Sequence, residues 1–484
     1  MKRAENRDLE LSGPKLARLI DAAKDRILAH IASLPAQPSA DVAGGIALAH
    51  ALEEPLPTEG RPYEELLDLL FDRVIPKSFN TAGPGYLAYI PGGGLPHAAV
   101  ADLIADATNR YVGVFAAAPG VSQIEGNVVR WFCEMVGYPA SSGGILTSGG
   151  SLSNFSALVT ARRELLPENF LSGTIYVSDQ THHSIQKAAV LAGFPPGNVR
   201  EIASDERFRI RVPELTRAIA ADRAAGLTPF AVVGNAGTTN TGAVDDLSAL
   251  ADIAAKERLW FHVDGAYGGF FVLTERGRRR MTGIERGDSI ALDPHKSLFL
   301  PYGTGSLLVR DREALRRAHA LWAEYLPEVQ EDATLPDFHL ASPELSRDWR
   351  GLRVWLPIKM HGIGPFRANL EEKLDLAEWA AEQLQRIPGI EILAEPQLSI
   401  VAFRLSRPGL DEKQLNELNR DLISRVNDRK RVYLTGTMLK ASEASTTAGR
   451  FAIRICVLSF RTHRDRMEQG LEDIRAAAAT SGSV

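Results

Sequence analysis

The 484-residue chain is poor in cysteine, with only Cys133 and Cys456. Two thiols cannot build a disulfide framework, and neither has the paired spacing of a zinc site, so both read as small buried hydrophobes of a reducing compartment. Excess charge of either sign is also missing. The 55 Lys and Arg against 60 Asp and Glu leave a net charge of -5, which offers no polyanion-binding surface and speaks against a nucleic-acid partner. No run reaches the ~18 apolar residues of a spanning helix. Residues 1–8 are mixed in charge with no apolar stretch behind them, unlike a signal peptide. The expectation is a cytoplasmic protein with no membrane contact. There is no internal repeat, no GxGxxG, no P-loop lysine and no HExxH, so neither a nucleotide site nor a metal site is expected.

What is present is an ordinary globular composition, 45% hydrophobic and 24% charged, on a chain long enough for two or more lobes. Leu16, Ile20, Ala23, Ile27 and Ile31 recur at helical spacing, as do Tyr63, Leu66, Leu67, Leu70 and Val74 beyond the break at 35–38. Little sequence lies between these helices to form a core. Residues 1–80 are therefore expected to be an N-terminal helical segment that buries its stripes against a second subunit. From 143 to 310 short apolar runs alternate with helical stretches: 144–146, 173–177, 230–233, 259–263, 289–292 and 306–309. This alternation predicts a large, mostly parallel sheet within an α/β domain spanning 81–365, with ligands beyond the carboxyl ends of its strands. A helix over 366–384, strands over 400–405 and 451–457, and a helix through Leu415, Leu418, Leu422 and Val426 predict a small C-terminal α+β domain over 366–484.

Chemistry concentrates at the ends of the apolar runs. In Asp293-Pro294-His295-Lys296-Ser297 a lysine sits between apolar stretches, where an ammonium is costly. A lone lysine in this position ordinarily snorkels to water. The alternative is a nucleophilic amine whose pKa is lowered so that it can attack a carbonyl. The run 259–263 ends in Asp264, followed by Gly265-Ala266-Tyr267. An acid there suits a protonated pyridine nitrogen, with small residues admitting a flat ring, although alone it could be a helix cap. Thr147-Ser148-Gly149-Gly150-Ser151 precedes a helix, so backbone N–H groups and a hydroxyl could cradle a phosphate; a plain turn is the commoner meaning. His182, in Asp179-Gln180-Thr181-His182-His183-Ser184, could stack on a ring or move protons, and Gly237-Thr238-Thr239 could supply hydroxyls.

In this order the segments resemble the group II pyridoxal-phosphate-dependent (PLP) amino-acid decarboxylases, which include the aromatic-amino-acid, glutamate and cysteine-sulfinate decarboxylases. The carriers are Thr147-Ser148-Gly149-Gly150-Ser151, Asp179-Gln180-Thr181-His182, Ala236-Gly237-Thr238-Thr239, His262-Val263-Asp264-Gly265-Ala266-Tyr267 and Asp293-Pro294-His295-Lys296, within roughly residues 80 to 460. The resemblance implies a PLP-dependent transferase fold of type I, aspartate-aminotransferase-like, as a homodimer with active sites at the subunit interface. It implies catalytic Lys296, Asp264 and His182: covalent anchor, partner of the pyridine nitrogen, and stacking group. Gly149, Gly150 and Ser151 would hold the phosphate, with Thr239, Ala266 and His295 completing the cofactor site. Asp293 stands where the family often has Asn or Thr, and an acid is ill suited to touch a phosphate.

The activity implied is decarboxylation of an L-amino acid to an amine and CO2. A family tyrosine commonly protonates the substrate carbon, and in Leu335-Pro336-Asp337-Phe338-His339 its place is expected to fall on Phe338. That placement leaves His339 or Tyr325 as the acid, or else oxidative release of an aldehyde. Gly92 and Arg454 are further substrate-site candidates, and Tyr86, Tyr89, Val114 and Phe115 border the same region. The competing readings are a PLP-dependent carbon–carbon lyase and a non-catalytic PLP-binding dimeric scaffold.

Overall fold

The computed structural model describes residues 9–321, 332, 335–440 and 449–480. The apolar runs form β1 (Gly143–Thr147), β2 (Gly173–Ser178), β4 (Thr228–Asn235), β5 (Trp260–Gly265), β6 (Ser289–Leu292) and β7 (Gly305–Val309), joined by an edge strand β3 (Val199–Ile202). Their order is β1-β7-β6-β5-β4-β2-β3. Only β7 runs antiparallel to its neighbours, so the other six strands end at the same edge. β3 carries no apolar run, because an edge strand half in water can read Val-Arg-Glu-Ile.

Because both faces are covered, β2, β5 and β6 are buried throughout. Side chains still alternate. Tyr176, Val232, Phe261, Val263 and Ile290 enter one core with the Pro119–Met135 and Leu247–Glu257 helices. Ile175, Val177, Ala231, Val233 and Trp260 enter the other with the Gly150–Leu165 and Ser184–Leu191 helices. Each fully buried large side chain contributes about 2 kcal/mol.

A second, antiparallel sheet contains β8 (Ile390–Ala394), β9 (Ile400–Leu405), β10 (Thr435–Leu439) and β11 (Arg450–Cys456), in the order β10-β11-β9-β8. Val401, Phe403, Ile453 and Ile455 pack beneath the Gly364–Gln385, Glu412–Asp428 and Arg464–Thr480 helices. The Glu412–Asp428 helix opens on a capping box: Asp411 accepts from the Gln414 amide at 2.8 Å and its own N–H donates to Gln414 Oε1 at 2.9 Å.

The N-terminal periodicity forms the Gly13–Ser33 helix and a Tyr63–Asp68 helix that continues as a π-turn over Leu69–Val74. Arg26 joins them, 3.4 Å from Asp68, bonded to Asp72 and lying over the Phe71 ring. No residue of the first helix is buried. Among the described residues no helix is long and apolar enough to cross a membrane.

Candidate active site

Beyond the common edge of the parallel strands lies a cavity of about 300 Å³. Gly149, Gly150, Ser151, His182, Thr239, Asp264, Ala266, His295 and Lys296 all line it, although they come from five separate stretches of sequence. Parallel strands bring this about, since each delivers the polar residue that ends it to the same rim.

Lys296 lies in the short Pro294–Ser297 helix after β6. Its Nζ is 2.9 Å from Asp293 Oδ2, and that carboxylate is 2% exposed. The expectation of a depressed lysine is overturned. Burial opposes the ammonium, but the charge and hydrogen bond of Asp293 outweigh burial, with Asp264 adding, and the pKa is held above the ordinary lysine value. His295 donates from Nδ1 to the Thr304 carbonyl at 2.5 Å, which leaves Nε2 3.7 Å from Asp293 Oδ2. Burial pushes the His295 pKa down.

Asp264 ends β5. Its Oδ1 accepts from the Ala266 amide and its Oδ2 from Asn154 Nδ2, both at 3.1 Å. His182 caps the opposite wall, with Nδ1 2.8 Å from Ser184 Oγ. Burial pulls its pKa below the ordinary histidine value, Asp264 offsetting only part of the effect, so the ring is neutral at pH 7.

The residues fit PLP. The Gly150–Leu165 helix starts at the cavity; Leu152 and Ser153 already donate to the Gly149 carbonyl, so the Gly150 and Ser151 amides, which have no carbonyl behind them in the helix, form an anion cradle with the Ser151 hydroxyl. A Cβ on Gly150 would stand 3.0 Å from both Ala266 Cβ and Asp293 Oδ2, filling the space that the cradle leaves. Asp293 Oδ1 is buried without a hydrogen-bond partner, a polar atom left for a ligand. An amine for an aldehyde, an acid for a ring nitrogen and amides for a phosphate share one cavity.

Gly92, Arg454, Phe338 and His339 do not line it. Gly92 presses on the lysine loop from behind: a Cβ there would collide with the His295 carbonyl and come 2.9 Å from that of Lys296. Arg454 is buried, neither at a substrate mouth nor on the surface. It donates to the carbonyls of Asn240 (2.9 Å), Thr239 (2.5 Å) and Tyr89 (3.4 Å) and to Thr435 Oγ1 (3.2 Å), stapling β11 to the loop after β4. Phe338, 3% exposed, belongs to the apolar core and lies beneath Arg347. His339 is tied to Asp337 Oδ1 at 3.0 Å and to the Gly113 carbonyl. Phe338 has no acidic hydrogen, and its ring packs into the core instead of lining the cavity. Tyr325 lies outside the described residues. Of the bordering residues, Tyr86 and Val114 are buried, Phe115 is half-buried and Tyr89 is exposed.

Asn154, Ser184, Asn235 and Tyr267 also line the cavity and were not singled out. Two signals could have found them. Asn154 and Ser184 lie in or beside the quoted motifs, and His262, behind Asn154, shares a strand face with Asp264 by the two-residue period.

Comparison with known proteins agrees with this site. The family model described as "Pyridoxal-dependent decarboxylase conserved domain" matches residues 47–406. The chain is 35% identical over 473 residues to an aromatic-L-amino-acid decarboxylase of Bacillus atrophaeus, covering 97% of each. A crystal structure of Oryza sativa TDC with PLP and tryptamine superposes with a TM-score of 0.91 at 27% identity, over 98% of this chain and 99% of that one. Catharanthus roseus tryptophan decarboxylase in complex with L-tryptophan gives 0.89 at 25%, over 98% and 100%. A lysine and an acid facing one PLP-sized cavity, on a fold shared with PLP-bound structures and under a family model covering most of the chain, make this a PLP-dependent amino-acid carboxy-lyase that belongs to the pyridoxal-dependent decarboxylase family.

Proposed function

We propose that the enzyme decarboxylates an aromatic L-amino acid to its amine, as a cytoplasmic homodimer whose residues 1–80 form the dimerisation segment, 81–365 the cofactor domain and 366–484 the small domain. The relatives that act on aromatic amino acids support the substrate class, and the uncovered stripe of the Gly13–Ser33 helix supports the dimer. The two free, buried cysteines agree with a reducing compartment. The observation that carries the reading is the pairing of Lys296 and Asp264 on neighbouring strand ends across one cavity.

When bound, PLP supplies the electron sink that accepts the pair of the Cα–carboxylate bond. Lys296 Nζ must shed a proton before it attacks an aldehyde, and Asp293 Oδ2, 2.9 Å away, is the acceptor at hand. Asp264 would hold the ring nitrogen and keep it protonated by its charge in a buried setting. His182, a neutral imidazole, and Ala266 would bound the space for the flat ring and exclude water from it. Arg454 orients Thr239 by holding its carbonyl. Orientation by these walls decides which substrate bond breaks.

Tyr325 is the proposed protonating acid, and aldehyde release, which a phenylalanine at the family tyrosine's place leaves open, is the alternative that the assay separates from it. The test is a CO2-release screen over aromatic and acidic L-amino acids with PLP supplied, with amine, ammonia and peroxide measured together. Equal CO2 and amine from an aromatic substrate is the expected result. Ammonia and peroxide matching CO2, or turnover of glutamate alone, would overturn the reading.

A further inference from the structure

Asp264 and His182 stand on different walls of the cavity, yet one buried side chain holds both. Asn154, 1% exposed, donates from Nδ2 to Asp264 Oδ2 at 3.1 Å and to Ser184 Oγ at 2.9 Å. Ser184 Oγ lies 2.8 Å from His182 Nδ1. Behind Asn154, its Oδ1 is 2.9 Å from His262 Nε2, and His262 Nδ1 is 2.8 Å from Ser289 Oγ. Trp260 Nε1 closes the chain by donating to Ser289 Oγ at 2.8 Å. His262 and Ser289 are fully buried.

The direction of every link follows from its ends. The indole N–H only donates, so Ser289 Oγ accepts it and its own O–H is free to donate to His262 Nδ1. At the other end the Asp264 carboxylate only accepts, so the Asn154 atom facing it is the NH2 and the atom facing His262 is the carbonyl oxygen. His262 Nε2 therefore carries the proton. Burial pushes the pKa of that ring down to about 4, so it is neutral at pH 7 and places no full charge behind Asp264. On the second branch, Ser184 receives the Asn154 N–H and turns its hydroxyl hydrogen to His182 Nδ1. The Ser184 backbone N–H reaches the same nitrogen at 3.2 Å, and two donors cannot face a third. His182 Nδ1 is thus a lone pair, its proton sits on Nε2, and Nε2 has no hydrogen-bond partner among the described residues.

We propose that Asn154 and His262 are positioning residues: one buried hydrogen-bond chain running Trp260, Ser289, His262, Asn154 orients Asp264 and, through Ser184, His182, and holds both histidines as Nε2–H tautomers. The proposal rests on the reading that Asp264 and His182 serve the cofactor. Its physical content is that the acid is supported by a neutral amide instead of a cation. The full negative charge stays directed at the cavity, and the ring of His182 cannot turn to offer its other nitrogen.

The direct test uses apoprotein labelled with 15N-histidine, the two resonances being assigned by their loss in His182→Gln and His262→Gln. Both rings are expected as neutral Nε2–H forms at pH 7, and an Nδ1–H signal from either overturns the chain. Cofactor-bound protein supplies a second readout. His262→Leu and Asn154→Leu, which remove donors but keep volume, are expected to weaken PLP binding to apoprotein about tenfold. They should also move the pH midpoint of the bound cofactor's visible absorption and lower kcat more than they raise KM. His262→Gln, whose amide can still donate to Asn154 Oδ1, should retain affinity within about threefold. Wild-type affinity and an unmoved midpoint in both Leu variants overturn the proposal. Ser289→Ala deletes one hydroxyl at the far end and decides the matter if the Leu variants do not fold, since it should move the midpoint in the same direction. Asp264→Asn separates the two levels: wild-type PLP affinity there removes the cofactor reading itself, whereas loss there with no change in the Leu variants removes only the positioning network.

Discussion

Every side-chain polar atom of Asn154, His262 and Asp264 has a partner within the chain, whereas the Gly13–Ser33 helix buries no residue and leaves Leu16, Ile20 and Ile27 more than 40% exposed. Both regions obey the same local rules of periodicity. They differ in what covers them. Around Asn154 the strand ends are saturated by neighbours that the sheet itself supplies, whereas Asp293 Oδ1 is left for a ligand. The helix presents an apolar stripe left exposed among the described residues, and the proposed dimer rests on it.

Lys296→Ala gives the largest effect expected on the saturated side: CO2 release falls roughly a thousandfold or more, while sedimentation still reports the native assembly. Loss of the assembly in that variant would mean that the cavity and the interface are one unit, and the contrast would fail. On the uncovered side, a double Ile20→Glu, Ile27→Glu variant is expected to weaken self-association about a hundredfold or more, as measured by sedimentation velocity across a dilution series. An unchanged dimer would show that the stripe is not the interface.

The buried wall also carries a pH signature. The folded pKa of His262, about 4, lies below its ordinary 6.5, so the folded state binds fewer protons in that window. Stability therefore falls as pH drops from about 6.5 toward 4 and levels off below, a loss of up to about 3 kcal/mol that His262→Gln should remove from denaturant titrations. Arg454→Ala should cost about 2 kcal/mol of stability by freeing buried carbonyls. It should act alike on every substrate, and a KM change confined to one substrate would instead give Arg454 a direct contact. The smallest effect belongs to Asp293→Asn. Without the carboxylate that raises it, Lys296 releases its proton more easily, and the pH profile of PLP reconstitution moves to lower pH.

The strands of the large sheet were legible because burial on both faces forces continuous apolar runs, and the polar residue closing each run marked the cavity rim. β3 was not legible, since a half-wet edge needs no such run. The burial of Phe338 was not legible for a different reason. Spacing along the chain located the 335–339 segment, but whether that ring faces a core or a cleft depends on Val112, Ile145 and Leu307, which are distant in sequence. The sign of the lysine shift failed likewise, because the flanking apolar runs indicate a desolvated Lys296 but not that Asp293 turns back on it at 2.9 Å.

The order and spacing of residues thus determined the strands of the large sheet, because backbone hydrogen bonding and side-chain alternation are local and repeat along the chain, and the motif order carried the family resemblance that implied PLP and the roles of Lys296, Asp264 and His182. Only the tertiary structure decided which nitrogen of each histidine holds a proton, that Asn154 serves two walls at once, and that Arg454 is a staple. Those facts depend on the direction and distance of groups many residues apart, and a one-dimensional pattern carries neither.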